Sequence, residues 1–419
     1  MKDKDATRPT LGQLGRQFLA IGCVSFGGFM ALMSVVEDVF VRQKGWIDRE
    51  DMIDGISLAN ILPGPQAVNT VTYVGYRLGG LPGALVSFAA ILTPTFVLVT
   101  LLTFLYFQVA ADAAWLERVS RGLLPAVSAV IFSVVWRLRR QSVTDLRSGV
   151  IFVSSVAALL LAPAAWKLSV NLGLIVIAGA IGFLASGESG PEQATSKSPP
   201  ISGYTLFFLL GAPLALLGLY LMGPTLDRGS LPHLALTFSG LSLMLFGGGY
   251  VFVPLLQDVV VGQESWLTLQ QFTDGIAFSQ ITPGPIMICA AFVGQKVTMT
   301  SHGPFWGVLG GLVCTLAIFA PPALLMIAAS GLLENLRSHP GVQAALASIR
   351  AAVVGMILVA GWTILTGGLP TLPEVLADHA LEAARTLGLF SLSLFLLVRF
   401  SANVLVVLPL SGVFGALFF

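Results

Sequence analysis

A long segment of this chain occurs twice. The stretch from Phe26 to Pro65 returns without a gap between Phe246 and Pro285, so the two copies are offset by 220 residues throughout. Each copy opens with Phe-Gly-Gly and closes with Pro-Gly-Pro, and a Trp and an Asp-Gly-Ile run between these motifs are also identical. Glycine and proline have special backbone geometry, so identity at these positions indicates a duplicated structural unit and not shared hydrophobicity alone.

The composition places this duplicated unit in a membrane. Hydrophobic residues make up 55% and charged residues 10% of the 419 residues, and the mean hydropathy is +0.87, whereas soluble domains carry about 25% charged residues. Thirteen windows are apolar enough to cross about 30 Å of hydrocarbon, two of them marginal, so we expect an all-α polytopic membrane protein with about 12 to 13 transmembrane helices. The windows are Leu11–Val41, Met52–Tyr76, Leu81–Val109, Leu123–Trp136, Val150–Ala162, Leu168–Ala185, Tyr204–Met222, Leu231–Val261, Phe272–Val297, Phe305–Leu333, Ala344–Leu365, Ala380–Val398 and Ala402–Phe418.

The chain is predicted to consist of two halves. Residues 186–203 are rich in Ser, Pro, Gly and Glu and have no apolar periodicity, which is typical of a flexible linker. We therefore expect a first transmembrane half over 1–185 and a second half over 204–419 that begins with a linker helix, Tyr204–Met222. With that helix, seven crossings separate the starts of the two repeats. An odd number predicts inverted-topology repeats with interrupted helices, as in many secondary transporters.

The distribution of positive charge predicts the orientation. With the N-terminus in the cytoplasm, thirteen of the 22 Lys and Arg residues fall on cytoplasmic segments, in agreement with the positive-inside rule. The charged N-terminal decapeptide is followed by no short apolar core with a small-residue cleavage site, so we expect the first helix to be retained. The predicted location is the cell (inner or plasma) membrane, multi-pass, with a cytoplasmic N-terminus.

The remaining composition argues against several classes of protein. The formal net charge is +1, which leaves no basic excess to neutralise a phosphate backbone, so nucleic-acid binding is not expected. The three Cys and four His residues show no metal-ligand spacing. No glycine-rich nucleotide motif follows a strand, and no serine has a nucleophile-elbow context. We expect no metal, no cofactor and no enzymatic activity.

Two halves that each carry an FGG stretch followed by a PGP motif resemble the chromate ion transporter family, and the resemblance covers nearly the whole chain. The resemblance implies a membrane efflux protein that exports chromate, gives chromate resistance, and is driven by the membrane potential or the proton gradient. Sulfate, a dianion of similar shape, is the natural competitor. The second copy departs from the first where Glu37 becomes Gln257 and Asn60 becomes Gln280, which indicates that the halves are not functionally equivalent.

Each PGP motif is predicted to interrupt a helix close to the middle of the membrane. A helix that starts after Asp48 or Thr268 runs for about 21 Å before proline removes an amide donor and clashes with the preceding turn. The residues after the break can start a second half-helix, whose first amides have no carbonyl partner and whose dipole is positive there. Such an end is a ready anion site, and an inverted two-fold axis would bring both ends towards one dianion. The alternative is that PGP only kinks a packed helix.

The predicted substrate-binding residues follow from this arrangement. Both copies have an amide side chain three residues before the first proline. The FGG glycines either expose backbone amides to the substrate path or let helices pack closely. The predicted set contains Asn60, Pro63, Gly64, Pro65 and Gln66 from the first copy, Gln280, Pro283, Gly284 and Pro285 from the second, and the FGG glycines Gly27, Gly28, Gly247 and Gly248.

Ionisable residues in or near membrane spans are costly and are therefore functional candidates. Glu37, Asp54 and Asp274 are predicted to couple or gate transport, the alternative being that such acids complement helix N-termini or stay solvated. Basic residues at matching places of the two copies are predicted to attract the anion, with interfacial snorkelling as the alternative. They are Arg77 and Lys296 after the half-helices, and Arg121 and Arg350 at the start of later helices.

Two classes of function fit these features. The first is a secondary transporter of a tetrahedral oxyanion, chromate before sulfate, whose other contacts are the lipid bilayer and, as a further option, a second copy in a homodimer. The second is a membrane-embedded enzyme or signalling scaffold. The absence of clustered acids, histidines or a nucleotide motif disfavours an enzyme, and the long repeat disfavours a scaffold.

Overall fold

The described part of the chain is helical. The computed structural model describes residues 9–25, 29–109, 114–163, 166–185, 226–245, 252–330, 340–367 and 380–419. Within these ranges every regular element is an α-, π- or 3₁₀-helix, and several helices are long and apolar. The expectation of an all-α polytopic membrane protein is therefore confirmed. The linker 186–203 and the window Tyr204–Met222, on which the predicted inversion depends, lie outside the described residues.

The helices of the two halves follow one another in the same order. In the first half they are α1 (Leu11–Val24), α2 (Phe29–Glu37), α3 (Arg49–Ile61), α4 (Gln66–Phe104), α5 (Ala114–Ser142), α6 (Leu146–Leu161) and α7 (Lys167–Ala185). In the second half they are α8 (Leu231–Leu243), α9 (Phe252–Gln257), α10 (Leu269–Ile281), α11 (Cys289–His302), α12 (Pro304–Ala329), α13 (Pro340–Gly367), α14 (Ala380–Arg399) and α15 (Val404–Phe418). Helix α4 matches α11 and α12 together, since its backbone is non-helical at Gly79 and Gly80.

The duplicated segments have the same local structure. A π-helix, Asp38–Gln43, follows α2, and another, Asp258–Gln263, follows α9. Helices α3 and α10 likewise begin and end at positions 220 residues apart. Because π-helical turns are rare and frequently lie at functional sites, their presence at matching places is a specific likeness. The duplication is therefore present in the fold, while the orientation of the two copies across the membrane stays a prediction.

Besides the two windows that contain the PGP motifs, two further windows are not continuous helices. Leu11–Val41 and Leu231–Val261 each contain two helices, because α1 ends at Val24 and α8 ends at Leu243. At the first break the Ser25 hydroxyl donates to the Ile21 carbonyl over 2.6 Å, a local bond with which serine competes with regular helix hydrogen bonding. Neither window is one unbroken helix, and that each crosses the membrane once stays a prediction.

Five segments of the described chain are long and apolar enough to span a bilayer by length and composition. They are Gln66–Gln108, Trp115–Ser142, Pro304–Ala329, Gln343–Gly367 and Ala380–Arg399. A full span needs about 20 residues, whereas α3 and α10 have 13 residues each. Half-length helices therefore account for much of the apolar sequence around the PGP motifs, and the number of full crossings stays a prediction.

The chain forms two compact units. The first unit contains Met1–Leu98, Gly179–Gly249 and Thr282–Leu346, and the second contains Val99–Ala178, Tyr250–Ile281 and Ala347–Phe419. Each unit therefore takes segments from both halves of the sequence. Both PGP motifs belong to the first unit.

Glycines allow close helix packing inside each unit. In the first unit, a Cβ built on Gly294 of α11 would lie 2.5 Å from the Cys314 sulfur of α12. In the second unit, a Cβ on Gly122 of α5 would lie 2.7 Å from the Gly415 Cα of α15. Real Cβ contacts are not this short, so these helices approach each other through the missing side chains, as small residues allow in membrane proteins.

Candidate substrate site

The first PGP motif interrupts a buried helix. Helix α3 ends at Ile61, Leu62 is extended with φ −79° and ψ 152°, and α4 starts at Gln66. Between them, Gly64 has a φ of +99°, a conformation that residues with a Cβ rarely adopt. Residues 61–65 are all buried. The predicted interruption is confirmed, and it lies inside the protein.

The second motif repeats the break with one difference. Helix α10 ends at Ile281 and Gly284 has a φ of +128°. A 3₁₀ turn, Ile286–Ile288, then precedes α11, whereas α4 is helical from its first residue. The alignment of the two copies loses one residue shortly after the PGP motif, since Tyr73 matches Phe292 at an offset of 219. The tighter turn is consistent with this shortened connection, because a 3₁₀-helix rises more per residue than an α-helix.

Each PGP turn is hydrogen-bonded to the other repeat. The Gly64 amide donates to the Leu245 carbonyl over 2.7 Å, and the Gly284 amide donates to the Ser25 carbonyl over 2.9 Å. Ser25 and Leu245 are themselves 220 residues apart, and each directly precedes an FGG motif. Two bonds related in this way are what a two-fold relation between the repeats produces. Both bonds lie within the first unit.

The same reciprocity governs packing at the two glycines. A Cβ at Gly64 would overlap Pro322, and a Cβ at Gly284 would overlap Thr95. Thr95 and Pro322 each follow a proline that the two repeats share, so they are matched positions. Glycine is therefore required in each PGP turn both by its positive φ and by the helix that packs against it.

Asn69, in the first turn of α4, is a site residue that sequence reasoning missed. Its side chain is fully buried, and its Nδ2 donates to the Pro63 carbonyl over 3.1 Å. Its Oδ1 has no hydrogen-bond partner among the described residues. The side chain thus satisfies a carbonyl that the interrupted helix leaves without an amide partner. The sequence does carry a signal, because residues 66 and 69 are polar where the second copy has only Ile, Met and Cys.

The other predicted binding residues differ in how deeply they are buried. Pro63, Pro65 and Pro283 are buried, and Pro285 is half-buried. The amide side chains on either side of the breaks, at Asn60, Gln66 and Gln280, are half-buried. The FGG glycines, Gly27, Gly28, Gly247 and Gly248, lie outside the described residues.

Asp274 in α10 is fully buried. Its Oδ2 accepts hydrogen bonds from the Tyr106 hydroxyl over 2.7 Å and the Ser120 hydroxyl over 2.8 Å. Its Oδ1 has no partner within the ranges that the structure describes. A buried carboxylate is costly as an anion unless its oxygens are hydrogen-bonded, so a proton on this half-satisfied group changes its energy strongly. Both donors are more than 150 residues away in sequence, and no local pattern could have identified them.

Asp54 occupies the matching position of α3 in a different environment. It is only half-buried, and the ring of Tyr73 packs against the next residue, Gly55. In the alignment of the two repeats Arg121 matches Arg350, so Ile349 matches Ser120. Of the two hydroxyls that donate to Asp274, that of Ser120 therefore has no hydroxyl counterpart at the aligned position of the other copy.

Glu37 and its counterpart also differ. Glu37 forms ion pairs with Arg42 at 3.6 Å and Arg49 at 3.8 Å on a solvated surface. Gln257, at the matching position, is buried, and its Oε1 has no partner in the described part of the chain. The next residue, Asp258, accepts a hydrogen bond from Asn171. The first copy thus keeps a solvated charge cluster where the second has a buried polar one.

Two of the four predicted anion-attracting residues are paired with carboxylates. Arg77 lies 2.6 Å from the Asp51 carboxylate. Arg121 contacts Glu117 at 2.7 Å and Glu382 at 3.0 Å. All of these side chains are partly exposed, and exposed pairs of this kind contribute at most about 1 kcal/mol to stability. Their positive charge is compensated locally.

The other two predicted residues, Lys296 and Arg350, lie in helices of the second half. Lys296 in α11 is half-buried. Arg350 in α13 is also half-buried, and no described carboxylate lies within 4.0 Å of its guanidinium. Among the described residues, no group of three His, Cys, Asp or Glu side chains is placed to hold a metal ion.

These features define a class of protein. A helical membrane protein that carries proline-interrupted helices at matched places of an internal repeat has the architecture typical of secondary transporters. Residues 12–183 and 232–416 match the family model described as chromate transporter. The chain belongs to the chromate transporter family, which is a family of transporters and not of enzymes.

Individual relatives are similar over most of their length. The chain is 30% identical to the probable chromate transport protein of Synechococcus elongatus, with 88% of each chain covered. It is 28% identical to the chromate transport protein of Cupriavidus metallidurans, with 83% of this chain and 81% of the relative covered. It is 27% identical to the chromate transport protein of Pseudomonas aeruginosa, with 97% and 92% covered. No solved structure matches the chain.

Proposed function

We propose that this protein is a secondary transporter that exports chromate across the cytoplasmic membrane and thereby gives chromate resistance. Family membership and the names of the relatives support chromate as the substrate. The cell interior is negative, and one elementary charge moved through 100 mV is worth about 2.3 kcal/mol. Exit of a dianion therefore gains about 4.6 kcal/mol per 100 mV from the potential alone, so export requires no nucleotide hydrolysis.

The observation that carries the proposal is the reciprocal hydrogen bonding of the two PGP turns. It holds both PGP turns in one unit, where the first amides of the half-helices that follow present partial positive charge. Chromate is an acceptor with four oxygens and is suited to such an end. We assign binding to the segments around Pro63–Gln66 and Pro283–Pro285, with the FGG glycines as further contacts.

Asp274 is the proposed coupling residue. Its buried carboxylate has two hydroxyl donors on one oxygen and none on the other, so proton binding and release there alter the energy of the site. We propose that it carries a proton inward as chromate leaves. Glu37 is not assigned this role, because its charge is paired with two arginines at the surface.

Chromate uptake into inside-out vesicles tests the proposal. Pro63→Ala and Pro283→Ala each restore an amide donor and allow a more continuous helix, so the half-helix amides gain carbonyl partners. We expect each variant to lower uptake by about tenfold or more, the loss expected for about 1.4 kcal/mol of lost binding, at unchanged membrane insertion. Pro82→Ala, an exposed proline of α4 outside the motif, is the matched control and should transport normally.

Normal uptake by both PGP variants would refute the anion-site assignment and leave the motifs as packing kinks. Sulfate added as a competitor decides whether the site distinguishes the two dianions. Chromate that is consumed without accumulating in the lumen would favour the membrane-embedded enzyme.

Reporters fused at Asp145 and Phe419 should lie on opposite sides of the membrane, and a common side would end the proposal of inverted repeats.

A further inference from the structure

A large groove lies on the second unit between α5, α6, α13 and α14. Its volume is about 1070 Å³. Most of its wall is aromatic and aliphatic, and Phe132 of α5 contacts Phe390 of α14 edge-on with the ring centroids 5.3 Å apart. Phe395, which also lines the groove, is 55% exposed. Surface of this kind on a membrane protein suits hydrocarbon chains.

One end of the groove is basic. Arg139 and Arg140 lie at the C-terminal end of α5, and Arg399 is the last residue of α14. From the contact between Phe132 and Phe390, the two helices run on for seven and nine residues, about 10 and 14 Å, to Arg139 and Arg399. Arg121 and Glu382, near the N-terminal ends of the same helices, are 3.0 Å apart, so α5 and α14 run parallel and the three arginines lie towards the same end. Within the described ranges none of them has a carboxylate within 4.0 Å.

An aromatic side chain stands among these charges. The Arg139 guanidinium lies 3.9 Å from the centroid of the Trp136 ring, and the Arg140 guanidinium lies 6.0 Å from it. Tryptophan is enriched where a membrane protein passes from hydrocarbon to headgroups. The order along the groove is therefore apolar wall, then tryptophan, then arginines, which matches the order of acyl chain, interface and charged headgroup in a lipid.

We propose that this groove binds an anionic phospholipid, with its acyl chains along the apolar wall and its phosphate at Arg139, Arg140 and Arg399. Guanidinium groups bind phosphate oxygens through paired, charge-assisted hydrogen bonds. Basic pockets between transmembrane helices are a recognised setting for anionic headgroups. The positive-inside rule places these three arginines on the cytoplasmic side, whose leaflet is rich in anionic lipid.

Two other occupants fit less well. A tetrahedral oxyanion would use the arginines but none of the apolar wall. A second copy of the chain docked symmetrically on this face would place the same patch against itself, so two sets of three arginines would meet without acidic partners among the described residues. A lipid uses both parts of the groove and neutralises the charge.

Native mass spectrometry of the purified full chain tests the proposal. Phosphatidylglycerol and phosphatidylcholine with identical acyl chains are added in parallel, and the retained adducts are compared. We expect preferential retention of phosphatidylglycerol, and a loss of about tenfold in that preference in the double variant R139Q/R399Q, because hydrogen bonds to phosphate are among the strong ones. The control R118Q/R385Q removes two charges from the other ends of the same helices and should keep the preference.

The conservative variant R139K/R399K guards against misfolding. It keeps the charge but loses the planar fork, so it should fold and show an intermediate preference. Equal retention of the two lipids by the native chain would overturn the proposal, as would equal losses in R139Q/R399Q and its control. Displacement of the lipid by inorganic phosphate alone would show a free-anion site instead. Lipid-free dimers that R139Q/R399Q strengthens would show that a second copy covers the groove.

Discussion

The two PGP turns have the same backbone and different surroundings. Each glycine has a positive φ and donates to the residue before the other FGG motif. After the first break the chain continues with polar side chains at Gln66 and Asn69, whereas after the second it continues with Ile286 and Met287. Before the second break lies the buried Asp274, whereas its counterpart Asp54 is half-buried.

The difference shows which features a duplicated unit retains. The glycine and the prolines of the PGP turns are identical in both copies, because a Cβ or a missing proline there would change the path of the chain. The polar surroundings have diverged, since residues 66 and 69 are polar only in the first copy and the shared acid is fully buried only in the second. We infer a division of labour in which the first turn provides polar contacts to the substrate path and the second repeat provides the proton site.

The largest effects are expected at the shared glycines. Gly64→Ala and Gly284→Ala each combine a strained φ with overlap against the neighbouring helix, Pro322 or Thr95. We expect each to destabilise the protein by more than about 2 kcal/mol, measured as thermal unfolding in detergent. Gly45→Ala separates the two causes, because Gly45 has a φ of +60° and open space around it. It should cost about 1 kcal/mol.

Reciprocity requires the two glycine variants to be similarly damaging. A severe loss in Gly64→Ala with near-native stability in Gly284→Ala would show that only one of the two crossed contacts matters energetically. Equal and mild losses, no larger than that of Gly45→Ala, would show that the neighbouring helices move away easily.

The matched acids Asp54 and Asp274 should differ in their effect on transport, whereas the matched glycines should have similar effects on stability. Proton entry coupled to chromate exit means that, in inside-out vesicles, an acidic lumen stimulates uptake. We expect native protein and Asp54→Asn to keep this stimulation and Asp274→Asn to lose it, a difference of about tenfold if proton binding at the buried carboxylate contributes about 1.4 kcal/mol. Uptake driven by an imposed potential should survive in both variants, since the charge of the dianion is unchanged.

A stimulation that persists in Asp274→Asn would exclude this carboxylate as the proton carrier. Loss of the responses to both pH and potential would indicate a structural role. Tyr106→Phe removes one of the two donors to Oδ2 and retains the acid, so it should shift the pH at which stimulation occurs and not abolish it. A pH response that persists in Tyr106→Phe would show that Tyr106 positions the carboxylate and is not itself the proton carrier.

Sequence reasoning predicted the parts of this fold that local chemistry determines. The helix predicted from Arg49 to Leu62 extends from Arg49 to Ile61, because two prolines flanking a glycine of positive φ end it there. The breaks inside the first and eighth windows were left undecided, because the FGG glycines allow either an unwound chain or close helix packing. The donors to Asp274 were missed, since packing brings together residues 154 and 168 positions apart.

The smallest effect concerns the first residues of the two interrupted helices. Helix α3 was predicted to start after Asp48 and α10 after Thr268, and both do, but the two residues cap their helices unequally. The Gln271 amide donates to the Thr268 hydroxyl over 3.1 Å, and the Gln271 side chain accepts from the Thr268 amide over 3.1 Å. Asp48 makes no side-chain hydrogen bond to α3 and can act only through its charge near the helix N-terminus.

Thr268→Ala should therefore cost about 1 kcal/mol, and Asp48→Ala about 0.5 kcal/mol or less, measured by thermal unfolding in detergent. The double variant Thr268→Ala/Gln271→Ala should lose little more than Thr268→Ala alone, because the two bonds form one reciprocal cap and do not add independently. High salt should reduce the effect of Asp48→Ala and leave that of Thr268→Ala, since only the former is a screened charge effect. Equal losses for the two caps in low and high salt would show that the start of α10 is no better fixed than that of α3, and the asymmetry between the repeats would then begin only at the buried acid.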